Sequence, residues 1–186
     1  NEIKAVLSGS LNFIFNNFSL NNPFHKIVLK AQEEGYTEPD PKIDLSGIDV
    51  ARKILILARE SGLKIELNEI EISPFLPKKS LKTSNNKEFF QSLIEHEDYF
   101  NKILKNANEN DSKLKYVASL KNGKAKVGLE EIPKGHNFYD LEGSDNIVLF
   151  YTNRYSNQPL IVKGAGAGAE VTASGIFADI IRIGKR

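Results

Sequence analysis

Four carboxylates, Glu38, Asp40, Asp44 and Asp49, fall within twelve residues, and Lys53 follows the last of them by four. Acids gathered this closely suit a small cationic ligand, and an ammonium beside them is a group that can hand a proton to a developing oxyanion. Pro39 and Pro41 stiffen the loop: each fixes its own φ, and each holds the residue before it, Glu38 or Asp40, in extended backbone. Carboxylates on such a loop need little ordering when a ligand arrives. Asp49 and Lys53 stand one turn apart, about 40° around the axis of a helix that the spacing predicts from a Ser46 cap to Ser61-Gly62. The apolar arc of that helix is Val50, Ala51, Ile54, Leu55, Leu57 and Ala58; Ile56 falls beside Asp49 and Lys53 and predicts a flank shielded from bulk water. The same residues also have a simpler reading. Ser46-x-x-Asp49 resembles a capping box, and an exposed Asp49–Lys53 pair is an ordinary helix ion pair worth roughly 0.2–0.5 kcal/mol. Spacing alone does not separate the two.

A second segment has possible chemistry. Leu160–Lys163 leads into Gly164-Ala165-Gly166-Ala167-Gly168-Ala169 and then into Val171-Thr172-Ala173, a strand, a turn of small residues and a helix start. This superficially fits a dinucleotide fingerprint, but the residues after Gly168 are too few for a helix, a second parallel strand and a ribose-binding acid. What remains is a backbone that another group can approach closely, with free N–H groups at a helix N-terminus, or simply a tight turn. The stretch 40–49 lacks the glycine and distal glutamate of a calcium loop. His25, His96 and His136 have no metal-ligand spacing, so no metal is expected. No nucleophile elbow or P-loop is present, and Lys78, Lys79 and Lys82 read as a solvated basic patch.

The elements that must carry these groups follow from apolar spacing and turn residues. Residues 3–8 read as the end of a strand or a loop. Ser10 is placed to cap a helix over 11–18, and a second helix runs from Phe24 to Glu34, stopped by Gly35. The acidic loop spans 36–45. Residues 63–76 alternate as an extended run, 87–110 reads as one polar helix, and 106–112 as a loop. Leu114–Leu120 and Lys124–Ile132 form a hairpin across Lys121-Asn122-Gly123, and Ile147–Thr152 pairs with Pro159–Lys163. An amphipathic helix closes the chain over 171–183. Helices early and strands late indicate an α+β fold, with a mixed, largely antiparallel sheet covered on one face by helices.

At 186 residues the chain reads as one domain, 1–186, large enough to bury roughly 70% of its unfolded surface. Its 25 basic and 24 acidic residues leave a net charge of +1, which argues against nucleic acid or an anionic membrane as partner. Without cysteine there are no disulfides, zinc thiolates or thiol nucleophiles, a composition compatible with the reducing cytoplasm. No apolar run has transmembrane length. The chain begins at Asn1 and contains no methionine, which suggests a piece of something longer.

Three stretches, Leu7-Ser8-Gly9-Ser10-Leu11-Asn12-Phe13-Ile14-Phe15, Gly35–Glu60 and Gly164–Ile181, resemble homoserine dehydrogenase in this order, and most of all the homoserine dehydrogenase portion of bifunctional aspartokinase–homoserine dehydrogenases. Residues 75–140 share only the layout. The resemblance implies reduction of L-aspartate 4-semialdehyde to L-homoserine with a nicotinamide cofactor, usually NADPH. It implies that Lys53 donates the proton to the alkoxide, that Asp49 and Glu38 hold the substrate, that Asp44 supports them, and that Gly35 and Gly168 approach the cofactor. Ser10 stands where the family often has threonine, and keeps the hydroxyl for the substrate side of the site. Ile43 replaces an acid common in the family's loop. The family's nucleotide-binding Rossmann domain, with most of the cofactor contacts and a further catalytic lysine, would precede Asn1, and a kinase and its regulatory modules would lie further upstream. The implied partners are therefore the small substrate, those other domains and a second copy in a symmetric dimer. The alternative is a non-catalytic assembly module whose acids point into solvent.

Overall fold

The computed structural model describes residues 1–185. Its centre is a six-stranded sheet in the order β2-β4-β3-β1-β5-β6. The strands are β1 (Glu2–Val6), β2 (Glu71–Ile72), β3 (Ser112–Lys121), β4 (Lys124–Pro133), β5 (Asn146–Tyr151) and β6 (Leu160–Gly164). All neighbours pair antiparallel except β2 and β4, so the sheet is mixed and largely antiparallel, as the sequence suggested. The β3–β4 hairpin pairs Lys121 with Lys124 across Asn122-Gly123, whose φ angles of 51° and 75° make the two-residue turn that matches strand twist. The short segment 2–6 is the least expected strand, because it lies between β3 and β5 in the sheet.

Among the described residues eight α-helices accompany the sheet: α1 (Gly9–Asn17), α2 (Phe24–Glu33), α3 (Pro41–Leu45), α4 (Ile48–Glu60), α5 (Lys78–Leu81), α6 (Asn86–Glu95), α7 (Glu97–Glu109) and α8 (Ala169–Gly184). Leu114, Tyr116, Ala118 and Leu120 of β3 share the main core with Leu11 and Ile14 of α1, Val50, Ile54 and Ala58 of α4, and Phe100 and Leu104 of α7. The period-two alternation of a strand puts Val117 on the opposite face. There it packs with Phe138, Leu141, Ile147 and Leu149, so the β4–β5 connection supplies a small second core. Phe24 and Phe100 stack at 4.1 Å and tie α2 to α7.

Several local expectations are corrected. Ser8, not Ser10, caps α1: its Oγ accepts from Leu11 N at 3.2 Å. Only two residues of 63–76 enter the sheet. Arg59 donates Nε to Ile65 O at 3.2 Å and pairs with Glu66 at 2.7 Å, drawing the segment onto the end of α4, and Glu66 and Glu69 close a 3-10 turn as a capping box. The helix expected over 87–110 is two helices broken at His96, whose ring and backbone N both turn to Ser92 O; the second runs on to Glu109, through part of the expected loop. The acidic loop contains α3, capped by Asp40 with Pro41 in its first turn. Ser46 does not cap α4 but ends α3, and Gly47 at φ 75° makes the junction. A Cβ on Gly47 would lie 1.9 Å from the Tyr116 hydroxyl, so a side chain is excluded twice, by conformation and by space. The closing helix α8 is longer than expected and buries none of its residues; Ile176, Phe177, Ile180 and Ile183 are exposed.

Candidate active site

The amphipathic α4 buries Val50, Ala51, Ile54, Leu55 and Ala58, which turns Asp49 and Lys53 toward the edge of the helix layer. Lys53 Nζ lies 2.8 Å from Asp49 Oδ2 and donates to the Leu7 carbonyl at 2.9 Å. An ammonium has three N–H donors, so one remains. Leu7 sits between the end of β1 and the start of α1, and the lysine is thus fixed between two elements rather than loose on a helix surface. The expected shielding by Ile56 is absent. Ile56 is 59% exposed, and the side chains of Asp49 and Lys53 are 51% and 37% exposed. The i, i+4 pair therefore contributes little to stability.

Asp44 joins the acidic segment to α1. Its Oδ1 accepts from Ser10 Oγ at 3.0 Å and its Oδ2 from the Glu38 backbone N–H at 2.9 Å. Because Ser8 takes the capping role, the Ser10 hydroxyl is free for this contact, and the two serine oxygens lie 3.0 Å apart. The loop is also held from behind. Pro39 O accepts from Gln32 at 2.9 Å and from Asn86 at 2.7 Å, and Lys42 Nζ donates to Thr83 O at 2.8 Å. Tyr36 stacks on Phe13 at 4.2 Å. Helices α2 and α6 and the α5–α6 connection thereby brace the stiffness supplied by the two prolines.

These groups line one cavity of about 360 Å³. Ser8, Gly9, Ser10, Gly35, Tyr36, Asp44, Asp49 and Lys53 border it, together with Ser144, Asn146 and Gly166–Gly168. Six of the seven sequence-selected residues meet here: Ser10, Gly35, Asp44, Asp49, Lys53 and Gly168. The seventh, Glu38, is exposed and does not border the cavity; its backbone N–H, not its carboxylate, makes the contact to Asp44. Gly35 at φ 75° and Gly168 at φ 134° both have open space where a Cβ would stand, so a flat ring can approach the backbone at either. Another hollow of about 360 Å³, between the β3–β4 turn and Phe150, contains Glu2 but no cationic side chain.

Ser144 and Asn146 escaped the sequence reading. They sit in a polar Gly-Ser-Asp-Asn stretch more than 130 positions from Ser10, and no local spacing links the two. Asn146 packs under the glycine-alanine turn, where a Cβ on Gly166 would lie 1.9 Å from its Nδ2. Its Oδ1 is buried and makes no hydrogen bond within the protein. The histidines are used locally: His25 pairs with Glu97 at 3.0 Å, and His136 accepts from the Phe138 N–H at 3.1 Å. Among the described residues no three His, Asp or Glu side chains gather as metal ligands, and no helix is long and apolar enough to cross a membrane.

Comparison with known proteins places this geometry in context. The family model described as homoserine dehydrogenase matches residues 1–181. A chloroplastic bifunctional aspartokinase/homoserine dehydrogenase 2 of Zea mays is 46% identical over 183 residues, which are 97% of this chain and 20% of that protein. A crystal structure of a Candida auris protein of unknown function superposes with a TM-score of 0.91 at 39% identity, covering 100% of this chain and 53% of that one. A putative homoserine dehydrogenase from Archaeoglobus fulgidus superposes with a TM-score of 0.74 at 29% identity, covering 98% of this chain and 50% of that one. The chain thus spans a fifth of the maize relative and about half of the two solved chains.

Proposed function

This chain belongs to the homoserine dehydrogenase family, and on that premise we propose that residues 1–186 form the substrate and dimerisation region of an enzyme that reduces L-aspartate 4-semialdehyde to L-homoserine. One observation carries the reading. Lys53 is fixed by Asp49 and the Leu7 carbonyl at the wall of a cavity that Ser10 and Asp44 also line, with one N–H to spare.

Lys53 gives a proton from Nζ to the C4 oxygen as negative charge builds there, and Asp49 holds the ammonium in place. Asp49 and Asp44 draw the substrate α-ammonium into the cavity, and Glu38 adds a carboxylate to the approach. Ser10 fixes Asp44 through its hydroxyl. The hydride is supplied by a bound nicotinamide cofactor, NADPH in this reading, and the side-chain-free backbone at Gly35 and Gly168 fits a planar ring. Most cofactor contacts are assigned to a nucleotide-binding domain elsewhere in the full-length protein, because among the described residues the only parallel strand pair is the two-residue β2 with β4, and a dinucleotide-binding unit is built on parallel strands. An aspartokinase portion in the same protein, a symmetric dimer and a cytoplasmic location complete the proposal. The test is direct. The 186-residue chain alone has no measurable NADPH-dependent reduction of the semialdehyde yet binds L-homoserine, and Asp44→Asn weakens that binding. Robust turnover by the isolated chain would contradict the assignment of the cofactor site, and absence of any L-homoserine binding would contradict the substrate site.

A further inference from the structure

Lys115 is the one wholly buried lysine among the described residues, and the proposed mechanism makes no use of it. It lies in the middle of β3 on the face opposite Tyr116. Its ammonium is not wasted on water or on an acid. All three N–H donors are taken, by Asn12 Oδ1 at 3.0 Å, by Asn16 Oδ1 and by the Leu141 carbonyl. The two asparagines then pass the contact on. Asn12 Nδ2 reaches Gly143 O at 3.1 Å and Asp145 O at 3.3 Å, while Asn16 Nδ2 reaches Leu141 O at 3.1 Å and Gly143 O at 3.2 Å. The stretch 141–145 is thus stitched to α1 by one cation and two amides.

That stretch ends at the site. Ser144 and Asn146 border the same cavity as Lys53 and Asp49, and the start of α1 brings its cap Ser8 and Ser10 there. Gly9 lets the two meet, since a Cβ there would stand 3.0 Å from Ser144 O. Beyond it, Asn146 pairs with Gly164 across β5 and β6 and fills the space under Gly166. We infer that Lys115 is a positioning residue: through Asn12 and Asn16 it sets where Ser144 and Asn146 stand relative to Ser8 and Ser10 at the rim of the site. Burial, with Lys113 adding to it and Glu142 and Asp140 opposing, pushes its pKa down to about 8, so the proton is still present at neutral pH. A buried ammonium is an expensive way to fill space, and an apolar side chain of similar length would fill it without that desolvation. Its contacts go to α1 and the 141 carbonyl, not to the sheet, which fits registration better than support of the core.

The inference rests on the functional reading above only for its ligand. The experiment compares the 186-residue chain with Lys115→Met and with Asn16→Ala. Asn16 is exposed, so its removal leaves the core intact even if the buried lysine does not tolerate replacement. Two quantities are read: backbone order parameters at residues 143–146 by NMR relaxation, beside amide exchange in the β3–β4 ladder, and affinity for L-homoserine by calorimetry. Both variants are expected to lower the order parameters at 143–146 from about 0.85 to below about 0.6 while the β3–β4 ladder keeps its protection, and to weaken L-homoserine binding at least tenfold for Lys115→Met. A merely structural lysine would instead lower protection across the whole sheet and leave 143–146 unremarkable in Asn16→Ala. That outcome, or unchanged order parameters in Asn16→Ala, overturns the inference. Should the wild-type chain fail to bind L-homoserine, the functional reading falls, and the order parameters alone decide the role of Lys115.

Discussion

Replacing Lys53 with alanine separates catalysis from stability. The ion pair with Asp49 is short, 2.8 Å, but both side chains are more than a third exposed, so solvent screening limits it to about 0.5 kcal/mol or less. Losing the hydrogen bond to Leu7 O adds about 1 kcal/mol. Urea unfolding of Lys53→Ala should therefore show a loss of about 1–2 kcal/mol, within the range of ordinary substitutions. The kinetic effect is expected to be larger. Removing the only proton donor assigned to the C4 oxygen should lower kcat in the full-length enzyme at least about a hundredfold, or about 2.7 kcal/mol in the barrier. The assay follows NADPH oxidation with saturating semialdehyde, beside urea unfolding of the same protein. A kcat within about threefold of wild type would remove Lys53 from proton delivery. A stability loss near 5 kcal/mol would make it a structural residue and leave the kinetic result uninterpretable as chemistry.

Gly47→Ala should destabilise the chain by about 2–5 kcal/mol, combining left-handed backbone strain with overpacking against Tyr116; a urea midpoint close to wild type would show that the α3–α4 junction can move. The pH dependence of stability has a definite sign at Lys115. Its folded pKa of about 8 lies below the ordinary lysine value of about 10.5, so between these the unfolded chain binds the extra proton and stability rises with pH, on the order of 3 kcal/mol at most. Below about pH 8 both states keep the proton and the contribution is flat. The difference between wild type and Lys115→Met, measured by urea unfolding at pH 7 and 9.5, isolates the rise; a difference independent of pH would contradict it. Equilibrium sedimentation at micromolar concentration should give a dimer, and a monomer would count against the proposed assembly.

The acidic segment was readable in sequence because its logic is local. Prolines fix the loop, and a four-residue spacing brings Asp49 to Lys53. The α+β class and the β3–β4 hairpin were readable for the same reason, from turn chemistry and alternation. What escaped depends on partners distant in sequence. Ser8 caps α1 while Ser10 bonds Asp44, and Glu38 turns its backbone rather than its acid toward the same group. Ile56 looked like a shield only because a helical wheel carries no information about what lies beside the helix. Residues 63–76 alternate like a strand, yet Arg59 holds them against α4. Ser144 and Asn146 reach the cavity through side-chain hydrogen bonds from Asn12 across more than a hundred positions, which no periodicity encodes.

The most direct test of the account is a crystal structure with L-homoserine bound. The hydroxyl oxygen of the ligand should lie within hydrogen-bond distance of Lys53 Nζ, with its ammonium against Asp44 or Asp49 and Asn146 bordering the same cavity. Ligand seated elsewhere, with Lys53 still engaged only by Asp49 and Leu7 O, would contradict the assignment of this cavity as the place where the proton is given.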